Sequence, residues 1–287
     1  MHFASFNARG RSSFGVVAGD GVVDLRARLA PRYQSLLDVL RAGALDEVMV
    51  GAAGVRADYP LMEVEMLPPV PGGEKILCIG VNYANRGAEL TAAGGNEDAK
   101  YPSMFFKPPN GLVGHNRPIM RPPESEQLEY EGEIALVIGK TGRRIPKDQA
   151  LDHVAGITMC NEGTIRDWIR HGRFNVTQGK SWDASGSIGP WMTTGVDLTK
   201  PLHITVRLNG EVTQDDTTAS MIFGFVDILS YVSTFMTLKP GDIIATGTPI
   251  KLGQAAGERK WLKAGDVFEM TVPEIGTLRN QVVDEKS

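Results

Sequence analysis

The chain has 287 residues, 42% of them hydrophobic and 22% charged, enough to bury a substantial core and more than one average domain requires. A formal net charge of -4, without a long Lys/Arg run, gives no electrostatic reason for a nucleic-acid partner and points to a small one. Cys78 and Cys160 stand in no metal-ligand spacing, Met1–Arg11 holds no apolar signal core, and no run approaches the roughly 18 apolar residues of a membrane span. The expectation is a cytoplasmic protein with no membrane contact.

Residues 1–70 read as a small α+β module. A strand near Phe3–Phe6 precedes a hairpin in which Gly15–Val17 and Val22–Asp24 flank the turn Gly19-Asp20-Gly21. Two short helices follow, one with the apolar face Leu36, Leu37, Val39 and Leu40, the other over Leu45–Val50. Pro68, Pro69 and Pro71 then interrupt the pattern and set a predicted boundary between a small N-terminal domain, 1–70, and a catalytic domain, 71–287.

Beyond the prolines, β-like segments dominate: Ile76–Gly80, Met104–Lys107, Glu131–Gly139, Val154–Cys160, Ile204–Leu208, Ile243–Thr246 and Val267–Val272. Their irregular spacing predicts a β-rich core closed by a few helices and not a βαβ alternation. A helix is predicted over Ala219–Met236, where Ile222, Phe223, Val226, Leu229, Val232 and Phe235 recur at helical spacing before Lys239-Pro240-Gly241 stops it. Another is predicted to start near Thr164 and to carry Arg166, Trp168, Ile169 and Arg170.

Glu129, Glu131 and Glu133 alternate just before the apolar run Ile134–Ile138. In a strand, Glu131 and Glu133 share a face, and two bare carboxylates about 5 Å apart repel by a few kcal/mol or raise one pKa. A divalent ion with oxygen ligands resolves that conflict; an edge strand with its Glu side chains in water is the plainer alternative. Glu162, between an apolar strand and a predicted helix start, would complete a three-carboxylate site suited to Mg2+ or Mn2+, or would simply favour the helix N-terminus. Lys180 is a candidate cation for a substrate carboxylate, against the usual solvated lysine. Thr246-Gly247-Thr248-Pro249 offers hydroxyls and backbone N–H groups to an anion, against a plain turn. The glycine-bearing stretch from Asn82 to Tyr101 reads as a lid or as an ordinary surface loop. Zinc-protease, Gly-x-Ser-x-Gly, Rossmann and phosphate-loop patterns are absent.

Taken in order, Ile79-Gly80-Val81-Asn82-Tyr83, Phe106-Lys107-Pro108, Glu131-Gly132-Glu133-Ile134-Ala135, Asn161-Glu162-Gly163-Thr164-Ile165-Arg166-Asp167, Lys180-Ser181-Trp182-Asp183 and Gly241 to Pro249 resemble the fumarylacetoacetate hydrolase superfamily. The resemblance covers roughly residues 76–253. It implies an α+β chain whose catalytic domain is a mixed β-roll, a small α+β N-terminal domain of the kind many bacterial members carry, and a homodimer. It also implies a divalent ion, Mg2+ or Mn2+, held by Glu131, Glu133 and Glu162, the last where family members more often have Asp. Glu129 has no counterpart in that ligand pattern and is expected beyond the ligands or facing solvent. Lys180 matches the family lysine near the metal, Thr248 the residue that holds the substrate carboxylate, and Arg166 the arginine after the third ligand; Tyr83 and Gly247 belong to the matched substrate-binding segments.

One departure bears on the reaction. Hydrolytic relatives resemble Asn-Tyr-x-x-His-x-x-Glu where this chain has Arg86 and Glu89, and a guanidinium stays protonated and cannot act as a general base. Arg86 can instead grip a second carboxylate bidentately. Enolisation of a 2-oxo or 2-hydroxydienoic diacid, followed by isomerisation or decarboxylation as in aromatic-compound catabolism, is therefore expected, with Lys180 or Glu89 moving the proton. C–C hydrolysis of acylpyruvates or 2,4-dioxo acids is the alternative, and a metal- or acid-binding module without chemistry the remote one. A turnover screen with 2-oxo diacids separates them.

Overall fold

A computed structural model describes residues 1–84, 100–172, 175–252 and 260–286. Its frame is a mixed sheet, twelve-stranded among the described residues. The main path runs Tyr59–Pro60, Gly21–Asp24, Arg11–Ala18, His2–Ala8, Gly186–Thr193, Val154–Asn161, Gly132–Ile138, Ile243–Ala245, Ile76–Ile79 and Met104–Phe106. A second sheet orders Glu211–Thr217, His203–Leu208, Val267–Val272, Gly276–Asp284 and Ile119–Arg121. Few helices accompany them, so the α+β, strand-rich expectation holds.

Gly132–Ile138 lies at the centre of the large sheet, between Val154–Asn161 and Ile243–Ala245. An edge strand with solvated Glu side chains is thereby excluded. The strand is buried along its whole length, which explains its continuous apolar run. Ile134, Leu136 and Ile138 enter the main core with Ile204, Val206, Phe268, Met270 and Leu278 of the second sheet. Ala135 and Val137 face the opposite side. There Ala135 joins Cys78 and Cys160, and Val137 joins Phe3, Phe14, Leu36 and Met192.

Two predicted helices are corrected. The helix read over Ala219–Met236 is α-helical only from Phe225 to Phe235, after a 3-10 turn at Thr218–Ser220. Asn82 is the reason: its carbonyl accepts from Ile222 N–H at 2.8 Å and its Oδ1 from Phe223 N–H at 2.8 Å, donors the chain would otherwise turn into the helix. Near Thr164 no α-helix forms. Thr164–Ile165 pairs with Leu128–Glu129, one 3-10 turn covers Arg166–Trp168, and Arg170 sits at φ +68°, outside helical geometry. Glu162 therefore has no helix N-terminus to favour.

Candidate active site

Glu131 stands in the gap between the short strand Leu128–Glu129 and the central strand Gly132–Ile138. Its backbone is pinned on both sides: Glu131 N–H donates to Asn161 Oδ1 at 2.9 Å, and its carbonyl accepts from Glu162 N–H at 2.9 Å. Those two bonds bring the third predicted ligand beside the first. Glu133 follows on the central strand, opposite Cys160 on the neighbouring strand. All three carboxyl groups are buried.

The turn after Cys160-Asn161-Glu162 depends on Gly163. It has φ +65°, and a Cβ there would stand 2.1 Å from Ser185 O. On the other side of the site, Gly247 has φ +101° and lies against Asn82, whose Cβ an added methyl would meet at 2.7 Å. That close approach lets Asn82 Nδ2 reach Thr246 O at 2.8 Å and aims Gly247 N–H at Glu133 Oε2, 2.8 Å away.

Lys180 ends the one-turn helix Thr177–Lys180 and is buried. Its Nζ lies 2.5 Å from Glu131 Oε2, 2.5 Å from Glu162 Oε1 and 2.7 Å from Thr164 Oγ1, while Thr164 donates to Glu131 Oε2 at 2.6 Å. Lys180 is thus not the solvated lysine of the plain reading. Arg166 NH2 reaches Glu131 Oε1 at 3.0 Å, and its Nε reaches Glu129 Oε2 at 2.5 Å. Thr248 Oγ1 accepts from Gln214 Nε2 at 2.9 Å, which orients its own O–H as a donor. Gly247 donates its N–H to Glu133 Oε2. Tyr83 is fully buried, and burial with nearby Glu133 pushes its hydroxyl pKa up. Arg86 and Glu89 lie outside the described residues.

Electrostatically, Glu131 is met by Lys180 and Arg166 and Glu162 by Lys180, whereas Glu133 takes the backbone N–H of Gly247. Burial, then Glu162 and Glu131, push the Glu133 carboxyl well above its usual range, and burial raises Glu162 although Lys180 pulls it down. Burial opposes the charge on Lys180, but Glu131 and Glu162 outweigh it and hold its pKa above the ordinary value. Such a set of hard oxygen donors fits a divalent cation of the Mg2+, Mn2+ or Ca2+ kind. Among the described residues no three His, Cys, Asp or Glu side chains are grouped as metal ligands; Lys180 Nζ lies between Glu131 and Glu162.

Two neighbours of the cluster have places that the sequence did not indicate. Lys107 is buried and donates to Lys180 O at 2.6 Å and Gly163 O at 3.3 Å, tying the helix of Lys180 to the turn after Glu162. Its signal was the Phe106-Lys107-Pro108 segment, matched only as a motif. Glu129, expected beyond the ligands or facing solvent, is buried; burial pushes its carboxyl up, but Lys251 and Arg166 outweigh that and hold it at about 2.

Residues 75–283 match the family model described as fumarylacetoacetate (FAA) hydrolase C-terminal. The chain belongs to the fumarylacetoacetate hydrolase family. Within that family, the oxaloacetate tautomerase YisK of Bacillus subtilis is 40% identical over 230 residues, 78% of this chain and 75% of that protein. A solved structure of a probable 2-hydroxyhepta-2,4-diene-1,7-dioate isomerase from Mycobacterium abscessus aligns with a TM-score of 0.79 and 29% identity, covering 100% of both chains. Maleylpyruvate hydrolase from Sphingobium, solved with manganese(II) and pyruvate, aligns with a TM-score of 0.78 and 27% identity, again over 100% of both chains. Tautomerase, isomerase and hydrolase chemistry thus all occur among fumarylacetoacetate hydrolase family enzymes similar to this one.

Proposed function

We propose that this enzyme is divalent-metal-dependent, enolises a small 2-oxo diacid and relocates its proton, with keto–enol tautomerisation of oxaloacetate as the reaction. The observation that carries the reading is the buried Lys180 ammonium set between Glu131 and Glu162 and bonded to Thr164. Glu131, Glu133 and Glu162 would hold the ion, Mg2+ or Mn2+, which when bound supplies Lewis acidity to the 2-oxo group.

Lys180 holds a proton at Nζ and exchanges it with the carbon beside the 2-oxo group. As the enol becomes the ketone, the hydroxyl oxygen loses one proton and that carbon gains one; nothing is oxidised and no water is consumed. Arg166 and Thr248 take the substrate carboxylate, the first by charge and the second by its hydroxyl. Tyr83 lies beside Glu133 and helps to enclose the site. Arg86 takes the distal carboxylate and Glu89 assists the proton transfer. The tautomerase named among the relatives supports this reading. The hydrolase similar to the chain, solved with pyruvate, supports C–C cleavage as the second.

The two part on products. With Mg2+, purified enzyme is expected to speed the loss of the enol absorbance of oxaloacetate, to stop when the ion is chelated, and to release no pyruvate from acylpyruvates. Pyruvate release from acylpyruvates, with oxaloacetate and 2-hydroxydienedioates untouched, would overturn the tautomerase reading.

A further inference from the structure

Ala8 pairs with Arg11, so Arg9-Gly10 is the turn that joins His2–Ala8 to Arg11–Ala18. Both turn residues have positive φ, +49° and +75°. A two-residue hairpin turn of this kind favours Asn-Gly. Asn209-Gly210, between His203–Leu208 and Glu211–Thr217, is that pair, at φ +54° and +83°. Arg9 holds the same left-handed backbone without the short polar side chain that eases it, so the turn itself gives no reason for an arginine.

The Arg9 guanidinium lies over the Tyr59 ring, 5.5 Å from its centre. Beside it opens a cavity of about 540 Å³ between the turn and the helix Leu25–Leu29, lined among others by Arg9, Arg11, Asp24, Arg26, Gln34 and Tyr59. Arg26 is fixed there by NH1, which donates to Ser12 O at 2.5 Å. Nearby guanidiniums meet carboxylates, Arg28 with Asp58 and Arg32 with Glu47. Among the described residues, no carboxylate stands within ion-pair distance of Arg9, Arg11 or Arg26. Asp24, the acid in the lining, accepts from Ser13 O–H at 2.6 Å and from Ala27 N–H at 3.0 Å. Three guanidiniums against one carboxylate leave the cavity two positive charges, in a chain whose formal net charge is -4.

We propose that this cavity binds a small phosphate monoester. Such a group carries close to two negative charges at neutral pH and three acceptor oxygens, one for each guanidinium, where a carboxylate offers two. The volume is that of a small-molecule site. None of the lining residues belongs to the candidate active site, so the proposal stands apart from the tautomerase reading.

The test titrates the full chain with ribose 5-phosphate and with inorganic phosphate by calorimetry, beside succinate, a dianion without phosphate. One site per chain is expected, with the ester bound more tightly than phosphate and succinate at least roughly tenfold more weakly than the ester. Arg11→Gln should weaken ester binding roughly tenfold. Arg9→Asn should weaken it as much while its thermal midpoint equals or exceeds that of wild type, because Asn suits the turn; lost binding is then not lost fold. Ribose 5-phosphate should raise the midpoint of wild type and leave that of the double variant Arg9→Asn/Arg11→Gln unmoved. Absence of phosphate binding, succinate bound as tightly as the ester, or unchanged ester affinity in either single variant overturns the proposal.

Discussion

Lys107 joins three parts of the site through one buried ammonium. Burial lowers its pKa while Glu162 pulls the other way, and its Nζ donates to Lys180 O and Gly163 O. Lys107→Met keeps the stem but strands two buried carbonyls, at a cost of about 1–3 kcal/mol each unless water enters. The variant is expected to unfold at lower urea and to lose kcat more than KM, because the helix of Lys180 loses its tether; an unchanged kcat would deny Lys107 that role. A different residue sets a pH limit. Burial, with Arg279 nearby, lowers the pKa of His115 to about 4, and its Nδ1 accepts from Arg279 N–H at 3.1 Å, a bond that protonation removes. The unfolded chain, with a His pKa of about 6.5, binds the proton first. Stability from His115 is thus complete above about pH 6.5 and is lost as pH falls toward 4, by roughly 2–3 kcal/mol. The urea midpoint of wild type should fall faster over that window than that of His115→Asn; parallel curves would exclude the effect.

At the scale of elements, legibility followed how local the cause was. Val267–Val272 is a strand at the predicted bounds because alternation alone specifies it: Phe268, Met270 and Val272 are buried, the residues between them less so. Gly186–Thr193 was missed because its glycines and Pro190 argue against a central strand, yet neighbours on both sides hold it in the sheet. Glu211–Thr217 was missed because its polar run carries no apolar alternation. The helix at Phe225 starts late for a reason 141 residues from Phe223, the bonds to Asn82, which no local window contains. Glu131, Glu133, Glu162 and Lys180 were legible as ordered motifs; that Lys180 bridges two of the carboxylates was not, since sequence spacing carries no side-chain direction. The late start leaves a weak cap. Gly224 is the N-cap, makes no side-chain cap bond, and has extended φ and ψ that any residue adopts. A Cβ there meets nothing nearer than Asp227 Oδ2 at 3.7 Å. Gly224→Ser should therefore stabilise the enzyme by about 0.5–1 kcal/mol, through the cap and a less flexible unfolded chain. Thermal unfolding about 1–3 °C higher would agree; a lower midpoint would show that the segment from Met221 to Gly224 needs glycine's freedom.

Across the whole molecule, the Pro68–Pro71 break invites the view that residues 1–70 form a separable unit, and the packing around it sets a test. His2 and Phe3 pair with Thr193 and Met192, which makes the N-terminal strands a continuation of the sheet that carries Glu133. Val137, on that same central strand, packs with Phe3, Phe14, Leu36 and Val39, so one apolar cluster spans the break. Ser5 O–H donates to Pro69 O at 2.7 Å, and Leu67 N–H to Ser5 O at 2.9 Å. Removing residues 1–70 would bare Val137 and Met192, each worth about 1.5–3 kcal/mol of burial, and leave the hydrogen-bonding edge of Gly186–Thr193 without its partner. That strand lies two places from the central one, and Ser185 and Gly186 press on Gly163 and Glu162, so the loss reaches the carboxylates. The full chain is accordingly expected to unfold in one cooperative thermal transition, and a fragment of residues 71–287 to aggregate or to unfold at much lower temperature with no Mg2+-dependent activity. Two separate transitions in the full chain, or a soluble and active fragment, would show that the two parts fold independently and that the shared sheet is only an interface between them.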